Sequence, residues 1–159
     1  LTGALSRRAG ARALSGSFAA FRGGERESPM VALFDIDNFK NINDVCGHGG
    51  GDEVLKQTVE RVDGAVRMSD RLFRWGGDEF LLIMEGVAPD KAAKVAENVV
   101  RAVASEAFFT GKRNADITLS MGAAFFRLGD EGYEDALKRA DEALYEAKTK
   151  GRNRVEVAS

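Results

Sequence analysis

Two short clusters of acids stand out in the chain. Asp35 and Asp37 close the apolar run Met30-Val31-Ala32-Leu33-Phe34, and Asp78 and Glu79 follow the pair Gly76-Gly77. Carboxylates brought together repel one another unless positive charge lies between them. Hard divalent cations such as Mg²⁺ take oxygen ligands, commonly one or two carboxylates plus substrate phosphates. The competing reading is that acids beside turns are simply solvated, and spacing by itself leaves both open.

Phosphate-binding groups are the natural companions of such a metal. No G-x-x-x-x-G-K-[ST] occurs, so a P-loop is excluded. Gly47, Gly49, Gly50 and Gly51 form a glycine-rich stretch that matches no phosphate-binding fingerprint. Lys148, Lys150, Arg152 and Arg154 crowd the end of the last predicted helix. Cations there complement a helix C-terminus, or they clamp nucleotide phosphates. Arg67 and Asp70 precede the second acidic cluster, and in isolation they read as a surface ion pair of little energetic worth. Cys46 and His48 read as local loop packing, and Trp75 as a strand residue of the core.

The elements that must position these groups follow from apolar periodicity. Residues 30–36 are a short apolar run with β-branched and aromatic members, hence a buried strand. Residues 71–75 and 79–84 read as two strands joined by a Gly-Gly-Asp turn, a hairpin. Residues 116–126 and 154–157 are further strands. Helices are expected at 6–21, at 52–67 behind acidic Asp52 and Glu53, at 89–104, and at 134–150 ending at Gly151. The central order strand–helix–strand–strand–helix–strand is a split βαβ arrangement, an α+β ferredoxin-like fold with an antiparallel sheet and flanking helices. In that topology the first strand lies centrally beside the third. Its end, at Asp35, then meets the start of the third strand at Asp78 and Glu79.

Bulk properties narrow the function classes. The chain has 159 residues, 44% hydrophobic and 30% charged, which fits one globular domain over 1–159. A net charge of −2 provides no basic field for nucleic acid. The longest apolar runs, 30–34 and 80–84, are far short of the roughly 20 residues of a membrane span. One Cys allows no internal disulfide, and one Cys with one His cannot build a usual structural zinc site. The chain opens on Leu1 without Met and without a signal peptide, and so reads as a piece of a longer protein.

The stretch Arg74-Trp75-Gly76-Gly77-Asp78-Glu79-Phe80 resembles the signature of the GGDEF family, the bacterial diguanylate cyclase domains. Five further stretches agree with that family in order. They are Leu1-Thr2-Gly3 followed by Arg7-Arg8, Asp35-Ile36-Asp37-Asn38-Phe39-Lys40 running on to Asn43-Asp44, Gly47-His48 with Gly51-Asp52, Ser120-Met121-Gly122, and Lys148 with Gly151-Arg152-Asn153. Ser6 stands where the family usually has Asn.

The resemblance implies a palm-like, nucleotidyl-cyclase-like fold and the condensation of two GTP into cyclic di-GMP with loss of two pyrophosphates. It implies two Mg²⁺ or Mn²⁺ ions per GTP site, held by Asp35, Asp78 and the Ile36 carbonyl. Asp78, Glu79 and Lys40 would serve catalysis, and Asn43 and Asp52 would read guanine. Lys148, Arg152 and the backbone amides of Asn38 and Phe39 would hold phosphates. Each domain would bind one GTP, so a two-fold homodimer is the expected active species. Arg67 and Asp70 match the family's R-x-x-D product-inhibition site for cyclic di-GMP. A second Arg often assists that site, and Asn98 stands in its place here, with Arg101 one helical turn on. GTP implies a cytoplasmic location with no direct membrane contact from this domain, the parent protein being free to carry an anchor. The alternative is a non-catalytic domain that senses GTP or cyclic di-GMP for an attached output domain.

Overall fold

A computed structural model of the chain describes residues 3–159; Leu1 and Thr2, the start of the first family-like motif, lie outside the described residues. Four helices and seven strands follow one another as α1 (Arg7–Arg22), β1 (Met30–Ile36), α2 (Phe39–Ala65), β2 (Arg71–Arg74), β3 (Glu79–Met84), α3 (Ala92–Ala104), β4 (Phe108–Phe109), β5 (Asn114–Ala115), β6 (Leu119–Phe125), α4 (Tyr133–Thr149) and β7 (Val155–Val157).

The main sheet has the strand order β2-β3-β1-β6-β7, with β1 central and antiparallel to both β3 and β6. The expected meeting of the first and third strands is therefore present. The sheet is mixed rather than purely antiparallel, because β7 runs parallel to β6. That follows from connectivity: β6 and β7 are joined across α4, and a helical crossover returns the chain in its original direction.

Helices cover both faces, so the central strands are apolar on both sides. Ala32, Phe34, Phe80 and Leu82 face α2 and α3, while Val31, Leu33, Leu81 and Ile83 pack with Leu14 of α1 and Leu144 of α4. Gly122 explains how α4 lies so close. A Cβ there would stand 2.1 Å from the Ala140 carbonyl oxygen and 2.2 Å from the Leu144 nitrogen, so only glycine lets the helix backbone rest on β6.

α2 differs most from the sequence expectation. It begins at Phe39, not Asp52, and carries a kink at Gly47 (φ 76°, ψ 172°), a left-handed backbone that suits glycine. Four glycines within five residues speak against helix on propensity. Packing overrides them: a Cβ on Gly50 would meet the Cys46 Cβ at 2.5 Å, and one on Gly51 would meet the Asn43 Oδ1 at 1.8 Å. The two short strands β4 and β5, unforeseen in the sequence, lie against α2, where Gln57 donates to the Phe109 carbonyl at 2.6 Å and accepts from its N–H at 3.1 Å. Cys46 is buried within α2, while His48 is exposed. Among the described residues no helix is long and apolar enough to cross a membrane.

Candidate active site

Register brings the two acidic clusters together. Asp35 on β1 is directly opposite Glu79 on β3, and the Ile36 N–H donates to the Asp78 carbonyl at 3.3 Å. Like charges placed directly across a sheet destabilise it unless neutralised. Burial, then the charge of Asp35, pushes the Asp78 carboxyl above its usual range. Burial, then the charges of Asp35 and Asp141, pushes Glu79 up to about 7.

Cations partly offset the cluster: Arg74 acts on Asp78, and the Lys148 ammonium, reaching down from the end of α4, pairs with Asp35 Oδ2. The other oxygen, Asp35 Oδ1, is buried with no permanent donor; the Glu79 carboxyl hydrogen-bonds Asp35 only in its protonated form. A buried carboxylate oxygen left unpaired is costly and calls for an explanation. A cation bound at this edge provides one. Among the described residues no three His, Cys, Asp or Glu side chains converge into an all-protein metal cage. Mg²⁺ does not require one, since it binds through one or two carboxylates and completes its shell with water and substrate phosphate. Asp35, Asp78 and the Ile36 carbonyl therefore fit such an ion.

Asp37 does not join this cluster. It is buried and accepts from Thr118 Oγ1 at 2.6 Å, Ser120 Oγ at 2.7 Å and the Asn153 N–H at 3.1 Å. With its oxygens engaged, it ties the end of β1 to β6 and to the turn after α4. Ser120 and Gly122 of the later motif are thus structural: one holds Asp37, the other admits α4.

The remaining expected residues surround the acidic edge. α2 starts immediately after Asp37, and its N-cap, Asn38, is left-handed (φ 56°, ψ 32°) with no side-chain cap. The amides at this helix start, those of Asn38 and Phe39 among them, receive no side-chain cap, which is the chemistry an anion needs. Lys40 is exposed and makes no ion pair among the described residues. The kink at Gly47 folds Asn43 onto Gly51, so that Asn43 lies beside the neighbour of the exposed Asp52. Arg152 is exposed, in a left-handed turn (φ 63°) whose N–H caps α4 by donating to the Ala147 carbonyl at 3.0 Å.

Several participants escaped the sequence reading. Arg74 braces the glycine turn, with Nε and Nη2 donating to the Gly77 carbonyl at 3.1 and 2.6 Å. Arg7 lies 4.4 Å from the centre of the half-buried Trp75 ring and donates to its carbonyl at 3.2 Å. Asp141 acts on Glu79 from α4. Its spacing of seven from Lys148, two helical turns, was the available signal.

A family model described as diguanylate cyclase, GGDEF domain, matches residues 1–154. The chain belongs to the GGDEF family. This GGDEF domain is 35% identical over 133 residues to diguanylate cyclase A of Treponema denticola, covering 84% of this chain and 36% of that protein. It is 41% identical over 129 residues to diguanylate cyclase DosC of Escherichia coli, covering 80% of this chain and 28% of that protein. It spans about a third of the length of these curated relatives. In three dimensions it resembles the GGDEF domain of DgcB from Caulobacter crescentus, solved in complex with c-di-GMP, with a TM-score of 0.91, 31% identity, and coverage of 99% of this chain and 92% of that one.

A second polar site lies at the other end of the β2–β3 hairpin. Asp70 accepts from the Arg67 backbone N–H at 2.8 Å and from Nη2 at 3.3 Å, and the same guanidinium donates to the Glu85 carbonyl. Arg67 and Asp70 line a cavity of about 370 Å³ with Asn98 on α3. Arg101 is not part of it. It pairs with Glu97 and faces a different cleft, between α3 and β7.

Proposed function

We propose that this GGDEF domain, a single unit over 1–159, condenses two GTP into cyclic di-GMP with release of two pyrophosphates. The observation that carries the proposal is the pairing of Asp35 with Glu79 beside Asp78, with one buried Asp35 oxygen left without a permanent donor. Two divalent ions, Mg²⁺ or Mn²⁺, held by Asp35, Asp78 and the Ile36 carbonyl, would stabilise the charge on the oxygens exchanged at phosphorus.

The chain's own groups do the rest. The α2 amides at Asn38 and Phe39, with Lys40, Lys148 and Arg152, hold the triphosphate. Asn43 and Asp52 orient the base: a carboxylate accepts from guanine N1–H and N2–H, and an amide complements the remaining polar edge. The 3′-oxygen of one GTP bonds to the α-phosphorus of the other, the bond to pyrophosphate breaks, and the 3′-hydroxyl proton passes to Asp78, with Glu79 beside it. Repetition on the second GTP closes the ring. One GTP per domain makes a two-fold homodimer the working species. Cyclic di-GMP is proposed to bind at Arg67 and Asp70 and to slow the reaction. GTP as substrate puts the domain in the cytoplasm.

Incubation of the chain with GTP and Mg²⁺ tests this, with cyclic di-GMP expected by mass. ATP in place of GTP should turn over at least 100-fold more slowly, because a site built to hydrogen-bond one base edge leaves buried groups unpaired against another. Specific binding of GTP without product would favour a sensing domain. Equal use of ATP would overturn the roles of Asn43 and Asp52.

A further inference from the structure

The cavity at the start of β2 holds a cation with no structural duty. Three positions on one side of α3 and its entry line it, namely Lys91, Val95 and Asn98, spaced four and three apart. Lys91 is the N-cap residue of α3 and is exposed, and among the described residues its ammonium makes no hydrogen bond or ion pair. Its backbone N–H is already satisfied by the Ala88 carbonyl at 2.9 Å. Arg67, by contrast, is held by Asp70 and by the Glu85 carbonyl through Nη2, and its Nη1 and Nε are free of partners among the described residues. The rest of the lining is mostly apolar and includes Val66, Met84 and Val87.

The charge balance of this cavity is informative. Arg67 and Asp70 cancel, and Asn98 is neutral, so without Lys91 the walls carry no net charge. A cyclic dinucleotide carries two phosphates, each with one negative charge. Its purine faces suit the apolar wall, and its guanine edge suits Asp70, but a dianion is not held by a neutral cavity of this kind. Lys91 supplies the missing charge from the same helix side as Asn98, about two turns earlier. Arg101 does not, because it pairs with Glu97 and lines a different cleft.

We propose that Lys91 is the second phosphate ligand of the product site, taking the place that Asn98 leaves without a cation. This rests on the reading of Arg67 and Asp70 as a cyclic di-GMP site. Lys91 acts as a compact point charge rather than a bidentate fork, so its contribution falls with ionic strength.

Calorimetric titration of the full chain with cyclic di-GMP tests it, on the parent, Lys91→Ala, Lys91→Arg and Asn98→Arg. Lys91→Ala should weaken binding about tenfold and flatten its salt dependence. Lys91→Arg should retain affinity, and Asn98→Arg in the Lys91→Ala background should restore it. Turnover of GTP at low product should be the same in parent and Lys91→Ala, since Lys91 lies away from the acidic edge. Parent-like affinity in Lys91→Ala would overturn the assignment of Lys91 while leaving the cyclase reading intact. Absence of binding by the parent would overturn the site itself. Failure of GTP turnover, read separately, would count against the catalytic proposal and not against this one, because the titration uses added cyclic di-GMP.

Discussion

Asp35 and Asp37 stand two residues apart at the end of β1, yet one has an oxygen buried without a permanent donor and the other receives three donors. The same contrast separates the acidic edge from the far side of the molecule. There Asp130, also buried, accepts from both Arg139 terminal nitrogens at 2.8 Å and from the Arg127 N–H at 2.8 Å. The Arg139 guanidinium holds the Asp130 carboxyl below its usual range, whereas Asp78 and Glu79 are pushed above theirs. A satisfied buried acid braces the fold. An unsatisfied one stores electrostatic cost where something else is meant to bind.

The largest effect that could break this comparison is catalytic. Asp78→Ala should lower cyclic di-GMP formation by at least ~10³-fold, the scale of losing a principal electrostatic contact in phosphoryl transfer. Its thermal stability should change by no more than about 1 kcal/mol, because it relieves repulsion as well as removing a side chain. Turnover at the parent rate would sink the metal-ligand role; a large loss of Tm would place Asp78 among the structural acids.

Next is the mirror experiment on the satisfied pair. Arg139→Met leaves Asp130 buried and uncompensated, and should destabilise the domain by about 3–5 kcal/mol, read by denaturant or thermal unfolding. Its effect should be on stability rather than on the chemical step. A change within about 0.5 kcal/mol would mean that the pairing does not brace the fold.

The smallest effect concerns pH. Glu79 has its folded pKa raised to about 7 from an ordinary 4.5, so the folded state binds the extra proton between those values. Stability of the ligand-free domain should therefore fall as pH rises from about 4.5 through about 7. Solvent screening at this half-buried position limits the loss to on the order of 1 kcal/mol. Glu79→Gln should flatten the dependence in that window, measured as Tm against pH relative to the parent. An unchanged slope would show that Glu79 is not the group that titrates.

Much was legible before any coordinates. The apolar runs of β1 and β3 are local patterns, and a split βαβ order leaves few ways to arrange them, so the meeting of Asp35 with Asp78 and Glu79 was predictable. The motifs around Gly76-Gly77 and Asp35 named the family, and the family model and relatives agree. What the tertiary structure alone decided concerns groups whose environment comes from distant chain. Residues 39–51 form helical turns on either side of the kink at Gly47, with Gly50 and Gly51 so close to Cys46 and Asn43 that no Cβ fits, an arrangement that propensity counts as a penalty. Asp37 and Asp35 look alike in sequence and are separated by the hydroxyls of Thr118 and Ser120, over eighty residues away. Arg101 lies one helical turn from Asn98 in sequence, yet in the fold it pairs with Glu97 and lines the cleft against β7, leaving that place to Lys91. Local pattern determines which elements form. Which charges are paired depends on register, helix phase and the near contact of backbones, and these are properties of the packed chain.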